Sequence, residues 1–207
     1  MLLIWGWRSL LKVLGVGEFH CPRCQADRPY QLIRPRRWFT VFFIPVIPLS
    51  WGEPFVECKA CKGAYRQEIL TTPTNAQFSY MLALGARALF AKTVWAGFSH
   101  DESMIDRAVS MLQRFVDPAY NEANLVADVQ GFSGHGLHEY LSPLAAHASP
   151  EGREGLLTAA ASFAWSQGTP PSAVAEVISE AGAALQLSPT HVAGIVGAAS
   201  HDVTGSW

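Results

Sequence analysis

Residues 20–25 read HCPRCQ, and residues 57–62 repeat the same C-x-x-C spacing as ECKACK. These two pairs contain every cysteine of the 207-residue chain. A tetrahedral metal ion needs four soft ligands, and two C-x-x-C turns brought together supply that number. Because protein atoms would fill all four positions, the spacing predicts a structural site with no open position for catalysis. The predicted ligands are Cys21, Cys24, Cys58 and Cys61, and the default ion is Zn²⁺.

Other cysteine chemistries fit the sequence less well. Two short disulfides would need an oxidising compartment. The N-terminus, MLLIWGWRSLLKVLG, lacks the pattern of a signal peptide because its apolar residues precede the first base, so we expect a cytoplasmic protein. A thioredoxin-like redox site uses only one C-x-x-C pair. Iron in a rubredoxin-like site would use the same four sulfurs and is the rival to zinc.

The segment between the cysteine pairs contains the most apolar stretch of the chain, RWFTVFFIPVIPLSW at residues 37–51. It is too short for a transmembrane helix, which needs about 20 apolar residues, and Pro45 and Pro48 would break such a helix. Its β-branched and aromatic residues predict strands instead. A small domain cannot bury so many aromatic side chains. We therefore expect a face with Trp38, Phe42 and Phe43 to lie against the second half of the chain or against a partner.

Three motifs in this region resemble a bacterial zinc-ribbon family: WGWRSLLKVLG at residues 5–15, FHCPRC at 19–24 and RRWFTVFFIPVIPL at 36–49. The resemblance covers roughly residues 1–68, and it implies strands that carry the two cysteine turns around structural zinc. Gln25 departs from the glycine that often follows the second cysteine, and Gly63 comes one residue late in the second turn. Both departures are expected to alter local turn geometry without removing a ligand.

The first 15 residues fit two different structures. On a helix they would form the apolar side of a membrane-surface segment, made of Leu3, Trp7, Leu10, Leu11 and Leu14. On a strand one face would carry Trp5, Trp7, Leu11 and Val13. The strand is favoured because the resemblance to the zinc ribbon runs continuously through these residues.

The composition changes after TTPTN at residues 71–75, and the rest of the chain is rich in alanine and leucine at helical spacing. We expect six or seven helices and no strand, with helix starts at the Ser99–Glu102 capping box and at Pro118, Pro150 and Pro189. The predicted fold class is α+β in two domains. The predicted boundaries are a zinc ribbon at 1–70, a linker at 71–77, an all-helical domain at 78–201 and a tail at 202–207.

The helical half resembles the TerB family of tellurite-resistance and stress-related proteins. The resemblance rests on WAGFS at residues 95–99, on ALQLSPTHVAGIVGAA at 184–199 and on an internal echo between Trp95-Ala-Gly97 and Trp165-Ser-Gln-Gly168. It implies paired helices and a role in bacterial stress. The family often holds a divalent cation with an Asp-Gly pair and a later Glu. Here Ala96 precedes Gly97, so whether this half binds a cation stays open.

The remaining polar clusters do not predict catalysis. His100, Asp101, Glu102 and Asp106 are typical of a helix start, where the helix dipole stabilises acids. His135 and His138 stand three apart beside Glu139, but no further ligand can be named, which favours polar loop residues. The sequence has no nucleophile elbow, phosphate loop or H-E-x-x-H motif. We therefore expect no enzymatic activity.

The charge is unevenly distributed: residues 1–70 hold ten Lys and Arg against five acids, whereas the rest holds five against twelve. The favoured function is a non-enzymatic zinc-binding interaction or scaffold protein, whose partner proteins dock on the apolar face of the ribbon. One alternative is nucleic-acid binding, with Arg34, Arg36 and Arg37 on phosphates and Trp38 or Phe39 stacking on bases. A further alternative is an adaptor at the inner surface of the membrane.

Overall fold

The computed structural model describes residues 5–41 and 44–204, with side chains for 6–41 and 44–201. The chain forms two compact units, residues 1–77 and 78–207. The first contains an antiparallel sheet and the second contains helices, so the predicted α+β architecture in two parts is confirmed. No helix in the described part of the chain is long and apolar enough to cross a membrane.

Five strands form the sheet of the first unit: β1 (Trp5–Cys21), β2 (Ala26–Val41), β3 (Ile44–Trp51), β4 (Phe55–Cys58) and β5 (Ala64–Arg66). All neighbours are antiparallel, in the order β1-β2-β4-β5, and β3 also pairs with β2. β4 pairs with Tyr30–Ile33 of β2, close to the first cysteine turn. β3 pairs with the far end of the same strand, between Arg36 and Val41.

The part of the sheet beyond β4 is called the distal arm, which comprises residues 5–13, 34–41 and 44–51. Nine residues of extended β1 give it a length of roughly 30 Å. β1 and β3 are its edge strands, because each pairs only with β2. The N-terminal segment is therefore a strand from Trp5 onward, as favoured over the helix, and Leu3 lies outside the described residues.

A β-bulge between Val13 and Gly15 interrupts the β1–β2 ladder. Before the bulge, Trp7, Leu11 and Val13 stand opposite Phe39, Pro35 and Ile33 of β2, respectively. Because directly opposed residues share a face of the sheet, these side chains form one face of the arm. Arg8, Leu10 and Lys12 stand opposite Trp38, Arg36 and Arg34 and form the other face. Leu14 is the extra residue, so Gly15 pairs with Leu32 and the alternation of faces along β1 shifts by one residue after the bulge.

The interior of the sheet is small. Its fully buried cluster contains Phe19, Cys21, Val56 and Cys58, with Tyr30 and Tyr65 among the half-buried side chains packed against it. Two of these four buried residues are cysteines of the predicted metal site. The fold of the first unit therefore depends on the metal more than on hydrophobic burial.

In the described part of the chain, seven helices follow, separated by short connections: α1 (Asn75–Gly97), α2 (Glu102–Phe115), α3 (Glu122–Phe132), α4 (His138–Ala145), α5 (Pro150–Trp165), α6 (Ser172–Ala184) and α7 (Pro189–Thr204). A 3₁₀ turn at Gln67–Thr71 precedes them. The described residues of this unit contain no strand, in agreement with the sequence. α1 begins inside the expected linker 71–77, and α7 runs into the expected tail.

Three of the four predicted helix starts are confirmed, the one at Ser99–Glu102 with a different cap, and the start at Pro118 is wrong. α5 and α7 begin at Pro150 and Pro189, and the hydroxyl groups of the preceding serines accept the backbone N–H groups of Gly152 and His191. α2 is capped by Asp101 and not by Ser99, because the Asp101 carboxylate accepts the Met104 N–H at 3.2 Å. Pro118 starts no helix, since α3 begins later, behind a reciprocal cap between Asn121 and Asn124.

The core of the helical unit is built around α1 and α5, whose Phe90 and Phe163 rings lie 5.3 Å apart. Buried side chains from all the other helices join this cluster. Gly182 lets α6 approach α7 closely, because a Cβ at this position would lie 2.4 Å from Val192 Cγ2. The small residues that gave the sequence its alanine-rich composition therefore serve close helix packing.

A buried polar network joins α1, α3 and the α2–α3 connection. Asp128 is only 4% exposed, and both of its carboxylate oxygens accept hydrogen bonds from the Arg87 guanidinium. The Tyr120 hydroxyl donates a further bond of 2.6 Å to Asp128. A buried carboxylate costs free energy unless it is paired and hydrogen-bonded in this way.

Replacement of Asp128 by Ala should lower the free energy of unfolding of the helical unit by about 3 kcal/mol, because it leaves Tyr120 and Arg87 without their acceptor. Asp106→Ala, at an exposed position of α2, is the matched control and should change it by less than about 0.5 kcal/mol. Urea denaturation followed by far-UV circular dichroism measures both. Equal stability of the two variants would show that the network does not hold these helices together.

Candidate metal centre

The sheet brings the four cysteines together at one end. Cys21 ends β1 and Cys24 lies in the β1–β2 turn, whereas Cys58 ends β4 and Cys61 lies in the β4–β5 turn. Their four Sγ atoms all lie within 4.8 Å of one another, and Cys21 and Cys61 are 3.7 Å apart. A tetrahedron with Zn–S bonds of about 2.3 Å places its sulfurs about 3.8 Å apart. The donor set therefore fits zinc.

Both cysteine turns use the same backbone conformation. The residue after the second cysteine has a positive φ in each turn, 49° at Gln25 and 58° at Lys62. Lys62 donates its N–H to the Cys58 carbonyl at 2.9 Å, and Cys58 donates to the Gly63 carbonyl at 3.0 Å. The left-handed position is thus filled by Gln25 and Lys62 without glycine, and both turns keep their ligands in place.

Two glycines make room for tyrosine rings beside the site. A Cβ at Gly63 would lie 2.8 Å from the Tyr65 hydroxyl oxygen, and a Cβ at Gly17 would lie 2.9 Å from the Tyr30 ring. Both tyrosines also lie against Phe19, with ring centroids 5.7 Å and 5.8 Å apart. Gly63 therefore has a packing role, one residue after the left-handed position.

Tyr65 is a site residue that the sequence analysis missed. Its hydroxyl lies 3.4 Å from Cys21 Sγ and can donate a hydrogen bond to the thiolate. Such donors around a metal-bound sulfur orient the ligand and stabilise its charge. The only signal in the sequence was a tyrosine four residues after the last cysteine. Its position on a strand does not by itself tell which face the ring occupies.

The cysteines have different affinities for their protons. Burial raises the pKa of Cys21, but hydrogen bonds from Tyr65 and from the backbone N–H groups of Cys24 and Arg23 outweigh it and lower the pKa to about 6. Burial and the neighbouring sulfurs of Cys61 and Cys21 raise the pKa of Cys24 to about 11. Four clustered sulfurs thus do not all ionise by themselves, and a divalent cation supplies the missing positive charge.

His20, next to Cys21, is not a ligand in this arrangement. Its Nδ1 atom lies 3.2 Å from Asp27 Oδ1. The other oxygen of the same carboxylate accepts the Asn75 backbone N–H at 2.8 Å. The Asn75 bond, together with the one to His20, holds the pKa of Asp27 below its usual value. His20 and Asp27 therefore form a polar pair beside the site.

The other candidate clusters do not converge on a metal. Among the described residues, only the four cysteines form a group of three or more ligands close enough to hold an ion. Asp101 is engaged as the cap of α2. His135 Nδ1 lies 3.1 Å from Glu139, which also accepts the Gly136 N–H. Asp101 therefore belongs to a helix start and His135 lies in the loop before α4, as the sequence favoured, whereas His138 is the first residue of α4.

Replacement of Tyr65 by Phe should weaken zinc binding about tenfold, because it removes one hydrogen bond to a ligand sulfur. Tyr80→Phe changes an exposed tyrosine of α1 and should leave the affinity unchanged. Competition with a chromophoric chelator measures both affinities. Identical values would show that the Tyr65 hydroxyl does not support the site.

Replacement of Cys58 by Ser should release zinc and open the sheet, because the ligands make up half of its buried cluster. Backbone amides of β4 should then exchange with deuterium quickly, whereas those of α5 stay protected. Hydrogen-exchange mass spectrometry of the full chain compares the two segments. Continued protection of β4 without zinc would mean that the sheet folds by side-chain burial alone.

Comparison with known proteins agrees with this geometry. Residues 19–82 match the model of a zinc-ribbon family, and the match includes all four cysteines and Tyr65. No curated protein and no solved structure matches the chain. The family match and the sulfur geometry together confirm that the N-terminal part of the chain is a zinc ribbon with a structural zinc site.

Proposed function

We propose that the chain is a non-enzymatic binding protein in which the zinc ribbon presents the distal arm to a partner. The observation that carries this proposal is the exposure of large apolar side chains on the arm. Trp7 is 65% exposed, Leu11 60% and Ile44 64%. Contiguous apolar surface on a folded domain is typical of an interaction site.

Zinc holds the strands of the arm together at their ribbon end. The β1–β2 turn is closed by two of the ligands, and β4, which pairs with β2 next to the arm, carries a third. Loss of the metal would therefore release both strands of the arm from their register. Binding through the arm should depend on zinc although the metal does not contact the partner.

The apolar face of the arm has the composition of a docking surface. The Trp7 and Phe39 rings meet edge to face at 5.3 Å, and Phe39 stands opposite Ile47 on β3. Leu11 and Val13 extend the same face toward the ribbon. Trp38, which the sequence placed on a docking face, is half-buried on the opposite side, and Phe42 and Phe43 lie outside the described residues.

We further propose that the helical unit is a TerB-like domain and that the chain is a bacterial, cytoplasmic stress-response protein. The resemblance at residues 95–99 and 184–199 supports it, as does the place of the internal echo. Trp95 lies in the last turn of α1, and Trp165 ends α5, so the two motifs occupy equivalent positions on their helices. Of the polar clusters in this unit, Asp101 caps α2 and His135 pairs with Glu139, so these side chains are engaged in local contacts, which supports a non-enzymatic role.

Site-directed photo-crosslinking tests whether the arm is a docking element. Benzoylphenylalanine at Leu11 should give adducts in a bacterial extract that still contains membranes and nucleic acids. The same group at exposed Tyr80 of α1 is the control and should give several times fewer. Adding Cys58→Ser should abolish the Leu11 adducts. Equal yields at both positions, or yields independent of zinc, would contradict the proposal.

A further inference from the structure

We propose that the partner of the distal arm is an anionic lipid surface. The apolar face of the arm enters the headgroup region of a membrane, and the bases of the opposite face pair with lipid phosphates. This inference rests on the proposed docking role of the arm and names the chemistry of its partner.

The charge of the arm points to an anionic partner. Residues 5–13 and 34–51 contain five bases and no Asp or Glu; the bases are Arg8, Lys12, Arg34, Arg36 and Arg37. In the described residues none of the five forms an ion pair with a carboxylate. Bases near an anionic membrane contribute about 1 kcal/mol each to binding.

Four of these bases share one face, here called the basic face, with two tryptophans. Arg8, Lys12, Arg34 and Arg36 lie on it according to the β1–β2 register, together with Trp38 and Trp51. The Arg36 guanidinium lies 4.7 Å from the Trp51 ring centre and 5.3 Å from that of Trp38, and the Arg34 guanidinium lies 5.3 Å from Trp51. Tryptophan rings next to the charged ends of arginine side chains are typical of membrane interfaces.

Arg36 is the half-buried base of this face, whereas Arg8, Lys12 and Arg34 are exposed. Its Nε is buried and has no hydrogen-bond partner among the described residues. Its guanidinium is nevertheless held in place by the two indole rings. A phosphate that reaches this face would pair with the charge of a guanidinium whose position the two rings already fix.

The distribution of apolar side chains favours lipid over a protein partner. Trp7, Leu11 and Ile47 are exposed on one face, whereas Leu10 and Trp51 are exposed on the other. A single protein surface covers one face of such a thin sheet. A lipid interface offers acyl chains to the apolar face and phosphates to the bases, so both faces of the arm find partners in it.

The tryptophans of the basic face are poorly placed to bind nucleic acid. A base stacks on a free ring plane, and the guanidinium groups over Trp51 and Trp38 leave fewer such planes. Arg37 stands opposite Ser9 on the apolar face, so the three arginines that the sequence grouped on phosphates do not share a side. Exposed aliphatic residues such as Leu11 and Ile47 also contribute nothing to stacking.

The backbone limits how deeply the arm enters. Among residues 5–41 and 44–204, no strand lies beside the outer edges of β1 and β3, and hydrocarbon cannot satisfy their N–H and C=O groups. Pro45 and Pro48 reduce the number of donors on the β3 strand, which is suited to an edge. The arm therefore docks at headgroup depth, where water and phosphate complete its hydrogen bonds, and does not span the bilayer.

Vesicle flotation with the full-length, zinc-loaded protein tests this inference. The protein should bind mixed phosphatidylcholine–phosphatidylglycerol vesicles. It should bind much more weakly to vesicles of phosphatidylcholine alone. R8Q/K12Q should lower the partition coefficient about 25-fold, that is about fivefold for each base. The matched control is R107Q/R114Q, which removes two exposed bases of α2 and should leave the partition coefficient unchanged.

The apolar contribution is tested separately with Leu11→Ser. This change should lower the partition coefficient about tenfold, because one leucine side chain is no longer transferred from water into the lipid. Tyr80→Ser at an exposed position of α1 is its control. All these positions are exposed, and hydrogen exchange of β4 verifies that the variants keep the fold. High salt should weaken the wild-type interaction.

Absence of vesicle binding, equal binding to both kinds of vesicle, or unchanged partitioning of R8Q/K12Q would overturn the lipid assignment. Retention on a single-stranded oligonucleotide that R8Q/K12Q abolishes, without vesicle binding, would assign the arm to nucleic acid instead. If the Leu11 crosslinker captures a partner but no vesicle binds, the docking role stands and the lipid inference fails. If neither is observed, both fail.

Discussion

The coordination of one cation by four thiolates is the constraint on which the first unit depends. The two cysteine turns come from hairpins far apart in sequence, and the sheet between them buries only a few side chains. Four adjacent sulfurs do not all ionise by themselves, so the form of the site with four thiolates requires a cation. Tyr65 and the backbone N–H groups of the turns then distribute the negative charge of the site over several donors.

This dependence on metal explains how the arm can remain apolar and exposed. In most small domains the largest hydrophobic residues must be buried to offset the loss of chain entropy. Here the cation supplies much of that stabilisation, so Trp7 and Leu11 are free to face outward. The helical unit follows the ordinary rule, with Phe90, Phe163 and their neighbours in a shared core. Metal binding thus stabilises the first unit, whereas hydrophobic burial stabilises the second.

Local signals could be read from the sequence, and signals that depend on register could not. The cysteine spacing and the first-turn prolines at 150 and 189 act within a few residues, so they identified the metal ligands and two helix starts. The bulge at Leu14 changes the alternation of β1 and cannot be located from composition. The position of Tyr65 over Cys21 and the separation of Arg37 from the other arginines both follow from pairings across the sheet.

The two glycine–tyrosine contacts at the zinc site have a consequence for the evolution of this domain. Gly17 faces Tyr30 across the β1–β2 pair, and Gly63 lies under the ring of Tyr65. A side chain at either glycine would occupy the space of the aromatic ring, so it requires a smaller partner or a displaced strand. Each glycine and its tyrosine should therefore vary together among relatives, as coupled pairs whose members are rarely replaced one at a time.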